Sequence, residues 1–206
     1  MKKMMMIAAM MVATLTASAQ HEVGTLTLQP KVGMNVATMT KLDDSKARVG
    51  LAVGAEFEYQ FADIVSLSAG ALYSMEGAKS NLSINIPAFN ISATAKETLK
   101  MDYINIPILV NVYFAKGLAV KAGIQPALNV NGKYKISANG QSESVNLKDW
   151  GVDVKSFELS IPVGLSYEYN NIVLDARYNF GMTKAIKNLD CKNYVFQLTL
   201  GYKFEL

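Results

Sequence analysis

Strict alternation of apolar and polar residues runs through this chain in stretches longer than the 5–6 residues of a typical soluble strand. Leu26, Leu28, Pro30, Val32, Met34 and Val36 alternate with Thr27, Gln29, Lys31, Gly33 and Asn35. Val49, Leu51, Val53, Ala55, Phe57, Tyr59 and Phe61 alternate with Gly50, Ala52, Gly54, Glu56, Glu58 and Gln60. Phe157 to Tyr169 repeats the pattern. Successive side chains of a strand point to opposite faces, so each stretch has one apolar and one polar face. Helical spacing is missing. After residue 20 no apolar run approaches the 18 or more residues of a transmembrane helix.

Eight such stretches are expected, at about 25–38, 48–61, 64–75, 99–114, 117–131, 157–169, 172–182 and 194–204. Each reaches the 9–11 residues that a tilted strand needs to cross a bilayer. The connections alternate in length. Those after the second, fourth and sixth stretches are tiny: Ala62-Asp63, Ala115-Lys116-Gly117 and Asn170-Asn171. The others are long. Tight turns on one side and long loops on the other mark an outer-membrane meander. An even strand count then places both termini on the tight-turn side, expected to be the periplasm.

The polar phase is rich in Gly, Ala and Ser, as the narrow interior of an eight-stranded barrel requires. A lipocalin-like soluble barrel would instead turn its apolar phase inward. Its water-facing side would carry more Lys and Glu than this chain supplies. The charges in the polar phase are Lys31, Glu56, Glu58, Lys121, Glu158, Glu168, Asp175, Arg177 and Lys203, expected inside the barrel. An ion path is one reading of them. A plug of paired charges is favoured, because eight strands leave room only for side chains. Tyr59, Phe61, Phe114, Tyr167, Tyr169, Tyr202 and Phe204 fall at the tight-turn level and form an expected aromatic girdle. A second girdle is expected from Tyr73, Tyr103, Phe157, Tyr178, Phe180 and Tyr194.

Residues 1–20, MKKMMMIAAMMVATLTASAQ, have two lysines, an apolar stretch and a small-residue end. This is a secretory signal pattern, with cleavage expected between Ala19 and Gln20. No Cys follows the site, so it is not a lipoprotein signal. The expected domains are thus a signal peptide, 1–19, and a barrel, 20–206. Losing Lys2 and Lys3 lowers the formal charge from +3 to +1, which gives no footprint for nucleic acid. Only 18% of residues are charged, while 50% are apolar.

One Cys, Cys191, and one His, His21, exclude a disulfide framework and a Cys/His metal cluster. No catalytic, cofactor-binding or metal site is expected, since no acid–base set with a nucleophile assembles. Four prolines, Pro30, Pro107, Pro126 and Pro162, fall inside expected strands. Each removes a ladder donor, so bulges are expected there. The alternation also changes phase around Tyr103–Ile106. Loops 80–95 and 133–145 read as hairpins that carry the strands beyond the membrane, the second with an Asn139-Gly140 turn signal.

The segment MDYINIPILVNVYFAKGLAVKAGIQPAL (101–128) resembles the centre of the PorT-like outer-membrane β-barrel family of Bacteroidetes. VSLSAGALYSMEG (65–77), NNIVLDARYNFGMT (170–183) and NYVFQLTLGYKF (193–204) match its third, seventh and eighth strands. The resemblance covers essentially the whole mature chain. It implies an eight-stranded barrel in a Gram-negative outer membrane. One namesake takes part in type IX secretion, a role not carried over by name. The closing strand is similar to the C-terminal signal read by the barrel assembly machinery, with Tyr202 and Phe204 as its alternating aromatics. Glu205 and Leu206, which follow, depart from it.

The expected product is an all-β, eight-stranded antiparallel up-and-down transmembrane barrel, exported through the periplasm. Its expected role is structural or partner-binding, through the projecting hairpins, and not enzymatic. A narrow porin-like channel for ions or small solutes is the alternative. The partners expected are outer-membrane lipid, the barrel assembly machinery during biogenesis, and a protein at the extracellular hairpins.

Overall fold

Asn170 and Asn171 both adopt positive φ, 49° and 65°. That is the conformation of a two-residue type I′ hairpin, which follows the natural twist of the strands it joins. Here it links β8 (Phe157–Tyr169) to β9 (Ile172–Gly181). Gly117, at φ 75°, turns the chain between β5 (Ile108–Ala115) and β6 (Leu118–Ala138). The remaining elements are β1 (Leu26–Met39), β2 (Lys46–Ala62), β3 (Val65–Ile86), β4 (Ile91–Asn105), β7 (Gln141–Asn146), β10 (Asn193–Tyr202) and β11 (Phe204–Glu205). The structure, a computed structural model, describes residues 21–40, 45–86, 91–138, 141–147, 154–186 and 191–206. The expected signal peptide, its Ala19–Gln20 junction and the Asn139-Gly140 turn lie outside these residues.

Every neighbouring pair of strands is antiparallel, and β1 closes the ring on β10 and β11. β4 and β5 are two parts of one wall strand interrupted at Ile106–Pro107, and β10 and β11 are another interrupted at Lys203. The wall is therefore an eight-stranded, up-and-down barrel. β7 lies outside this count. It pairs with the upper end of β6 as a hairpin that rises beyond the ring. β3 and β4 do the same, paired from Leu72↔Asn105 up to Ile86↔Ile91.

The alternation is inside out relative to a soluble protein. Leu165 is 52% exposed, whereas Arg177 on the adjacent strand is 2% exposed. Apolar side chains line the outer wall and polar ones fill the interior, because only lipid can solvate such a belt.

The prolines do not shift the register. Pairings before and after Pro30, Pro107, Pro126 and Pro162 stay in phase. In an antiparallel ladder a residue directs its N–H and its C=O toward the same neighbour, so proline forfeits one donor and keeps its acceptor. Pro107 O accepts from Gly70 N at 3.2 Å, and Pro126 O accepts from Ile106 N at 2.8 Å. Bulges occur elsewhere. Tyr103 pairs with Asn129 but Asp102 with Asn131, which leaves Val130 as the extra residue on β6. A second shift separates Ala47 from Ala52 on β2.

The alternation around Tyr103 misleads. Placed in the upper girdle by its height, Tyr103 is instead wholly buried and points into the barrel. Its hydroxyl donates to Glu158 there, a bond that lipid cannot offer.

Candidate functional site: the charged interior

Each strand contributes its polar phase to a column of side chains down the barrel axis. Lys31 comes from β1, Glu56 and Glu58 from β2, Lys121 from β6, Glu158 and Glu168 from β8, Asp175 and Arg177 from β9. Lys203 sits between β10 and β11. All nine are buried. They separate into groups at different heights.

At the centre, the Arg177 guanidinium donates to both oxygens of Glu56, at 2.6 and 2.7 Å. It also donates to both oxygens of Asp175, each at 2.7 Å. Lys31 donates to Glu56 at 2.8 Å, and Lys121 lies 3.1 Å from Asp175. Three cations thus enclose two carboxylates. Planar, bidentate geometry is what makes such a pair tolerable away from water.

Glycines make room for this centre. Gly54 and Gly201 lie directly opposite Lys31, Gly70 opposite Glu56, and Gly164 between Lys121 and Arg177. A Cβ at Gly164 would come within 2.3 Å of Ala176 O and 2.9 Å of Arg177 Cγ.

Near the tight-turn rim, Lys203 bridges Glu58 at 3.0 Å and Glu168 at 2.9 Å. Ser66 donates to Glu58 at 2.6 Å, and the Tyr113 hydroxyl also donates to it. Glu56 and Glu58 therefore serve separate networks and do not act as a carboxylate pair. Below them His21 bridges Glu168 at 3.0 Å and Glu205 at 2.7 Å. These bonds, the Glu168 one first, hold its imidazole above the usual pKa despite the opposing cost of burial.

Toward the long-hairpin rim, Glu158 is bonded by Tyr103 and by Asn193 at 3.3 Å, and Glu76 by Asn105 at 3.0 Å. A cavity of about 10 Å³ between them holds at most about one water. Above it Met39, Ala78, Met101, Ala185, Ile186 and Cys191 close the mouth as an apolar cluster. Burial there pushes the Cys191 thiol pKa up, which keeps it in the unreactive form.

The seven residues read as a tight-turn girdle all lie on the outer face, from Phe114 at 38% exposed to Tyr169 at 65%. Tyr202 and Phe204 pack with their rings tilted by 56° and ring centres 4.8 Å apart. Tyr178, Phe180 and Tyr194 cluster at the other level, Tyr178 and Phe180 at 4.6 Å.

Residues 18–187 match the family model described as "Outer membrane protein beta-barrel domain". The chain belongs to this family. Its location is accordingly the outer membrane, as an integral barrel. Among solved structures, the family fold aligns with Ail, the attachment invasion locus protein of Yersinia pestis. Identity is 18% and the TM-score 0.51, over 89% of this chain and 100% of that one. Neisserial surface protein A aligns at 12% identity and TM-score 0.47, over 88% and 97%. OprG from Pseudomonas aeruginosa aligns at 13% and 0.39, over 92% and 100%. No curated protein matches the chain.

Sequence reading missed several interior residues. Tyr113 lies on the stretch whose alternation changes phase around Tyr103–Ile106, and Glu76 lies just beyond an expected strand end. His21 stood outside any strand and carried no signal. The aid that a sequence does offer is compositional: Gly falls in the same phase as the charges it accommodates.

Proposed function

We propose that this chain is a PorT-like integral outer-membrane barrel of non-enzymatic character, whose closed interior supports a partner-binding sheet at the long-hairpin rim. The tight-turn rim faces the periplasm, and signal peptidase cuts between Ala19 and Gln20. The seven outward aromatics at the tight-turn level seat the barrel in the inner headgroup zone. Tyr202 and Phe204 engage the barrel assembly machinery during insertion.

The observation that carries this reading is the filling of the interior. Arg177, Glu56 and Asp175 occupy the axis with direct bonds, and the Met101–Cys191 cluster covers one end. Such a lumen favours a plug over the alternative of a porin-like channel. The rising sheet favours binding: among the described residues β7 pairs only with β6, and a strand at a sheet margin is where a partner strand can add.

Planar-bilayer recording of the purified protein tests the plug. Silent membranes are expected from wild type, and steady openings abolished by Arg177→Gln would establish the channel instead. Deletion of 80–95 or 133–145 tests the sheet. Loss of copurifying proteins from detergent-solubilised membranes is expected, and unchanged partners from both deletions would refute it.

A further inference from the structure

Following the outer wall toward the long-hairpin rim, the outward face turns from apolar to basic. On β6, exposed Leu128 and Val130 give way to Lys133 and Lys135. On β2, Leu51 and Val49 give way to Lys46. On β4, Lys100 lies beyond Ile104, and on β3 Lys79 lies beyond Tyr73.

Strand register gathers these cations into rows. Lys46 pairs with Lys79, Lys79 with Thr98, and Thr98 with Lys135. One step nearer the membrane, Lys100 pairs with Lys133. The alternate positions Ala78, Leu99 and Met101 pack in the interior cluster, so the lysines face away from it. Two directly opposed like-charge pairs oppose folding of this sheet. Among the described residues no ion pair offsets them. Asp102, two residues from Lys100 on β4, is matched by Arg48 at 3.7 Å. Glu97, one residue out of phase with Lys100 on β4, is bonded by Tyr134. An open groove of about 640 Å³ is lined by the cations Lys46, Arg48, Lys79, Lys100 and Lys135 and by one acid, Glu97.

We propose that this basic collar binds the phosphate groups of a phosphorylated glycolipid in the outer leaflet. Three strand spacings separate Lys46 from Lys135, roughly 14 Å, more than one phosphate spans. A ligand with two phosphates engages both ends of this row. The same strand faces continue downward as apolar wall, beginning with Val49, which is 61% exposed and borders the groove. A free anion has no use for that surface, but acyl chains do. Phosphate recognition by clustered cations at a membrane surface follows from simple electrostatics.

The full mature chain in neutral detergent, titrated with diphosphoryl lipid A and counted by native mass spectrometry, tests this. The wild type is expected to prefer that lipid over its dephosphorylated form. The triple variant Lys79→Gln/Lys100→Gln/Lys135→Gln should lose roughly a hundredfold in affinity. Lys116→Gln, at the opposite rim, should lose nothing. Gel mobility with and without heating reports that each variant is folded, and two of the three substitutions suffice where the triple does not fold. Equal binding by the folded lysine variants, or no preference for the phosphorylated form, overturns the proposal. Displacement by inorganic phosphate at matched phosphate concentration would assign the collar to free anions and overturns it equally.

Discussion

Arg177 and Glu56 lie 121 residues apart in the chain and meet across the barrel through two parallel N–H···O bonds of 2.6 and 2.7 Å. Each is almost wholly buried. Replacing Arg177 by Met leaves Glu56 and Asp175 facing each other with only Lys31 and Lys121 for compensation. The expected loss is about 3–5 kcal/mol, the cost of breaking a buried pair from one side. Arg177→Lys keeps the charge but loses the planar fork, so an intermediate loss is expected. Urea unfolding in lipid vesicles, followed by heat-dependent gel mobility, ranks the two.

Gly164 stands where no side chain fits. Even an added methyl group would press on the backbone of Ala176 and the stem of Arg177. Gly164→Val is expected to destabilise by about 1–3 kcal/mol, as overpacking does. The neighbouring Val163→Ala, on the outer face at 43% exposed, should change stability far less. The same unfolding assay separates them.

Leu165 points from the wall at 52% exposed. Leu165→Arg should cost about 2–4 kcal/mol where the wall meets the centre of the bilayer. A folding yield into vesicles equal to that of wild type would show that this face does not meet lipid.

His21 couples the tight-turn rim to pH. Its folded pKa is raised above the usual imidazole value of 6.5 through Glu168 first and then Glu205, with burial and, less, Lys203 opposing. The folded state thus holds this proton more tightly than the unfolded one. The resulting stability is fully present below pH about 6.5 and is lost as pH rises through the raised folded value. Protease cleavage within residues 21–25 should accelerate across that rise. His21→Ala should abolish the pH dependence while leaving the ring intact.

The strands themselves were plain in the sequence, because a lipid-facing wall imposes alternation residue by residue. Even the interruption of strand four was visible, and it falls at Ile106–Pro107. Which acid meets which base was not visible. That depends on the stagger between strands, and nothing local in Lys31 or Asp175 encodes it. Tyr103 shows the same limit, since its height was readable but its side was not. Met101, Tyr103, Asn105 and Leu109 all point inward, so the strand keeps its alternation, and the unpaired residue, Val130, lies on the next strand opposite Asp102–Tyr103. The basic collar needed register too. Its lysines lie far apart in the chain, and each alone looks like an ordinary loop charge.

The closure of β1 on β10 and β11 sets an order of events in time. The first wall strand cannot complete its hydrogen bonds until the last has been delivered, so every shorter intermediate carries two open edges. The Arg177–Glu56 bond has the same schedule, joining the second wall strand to the seventh. Insertion and locking are therefore one late step. Whatever catalyses assembly must hold both edges apart from other chains until that step occurs.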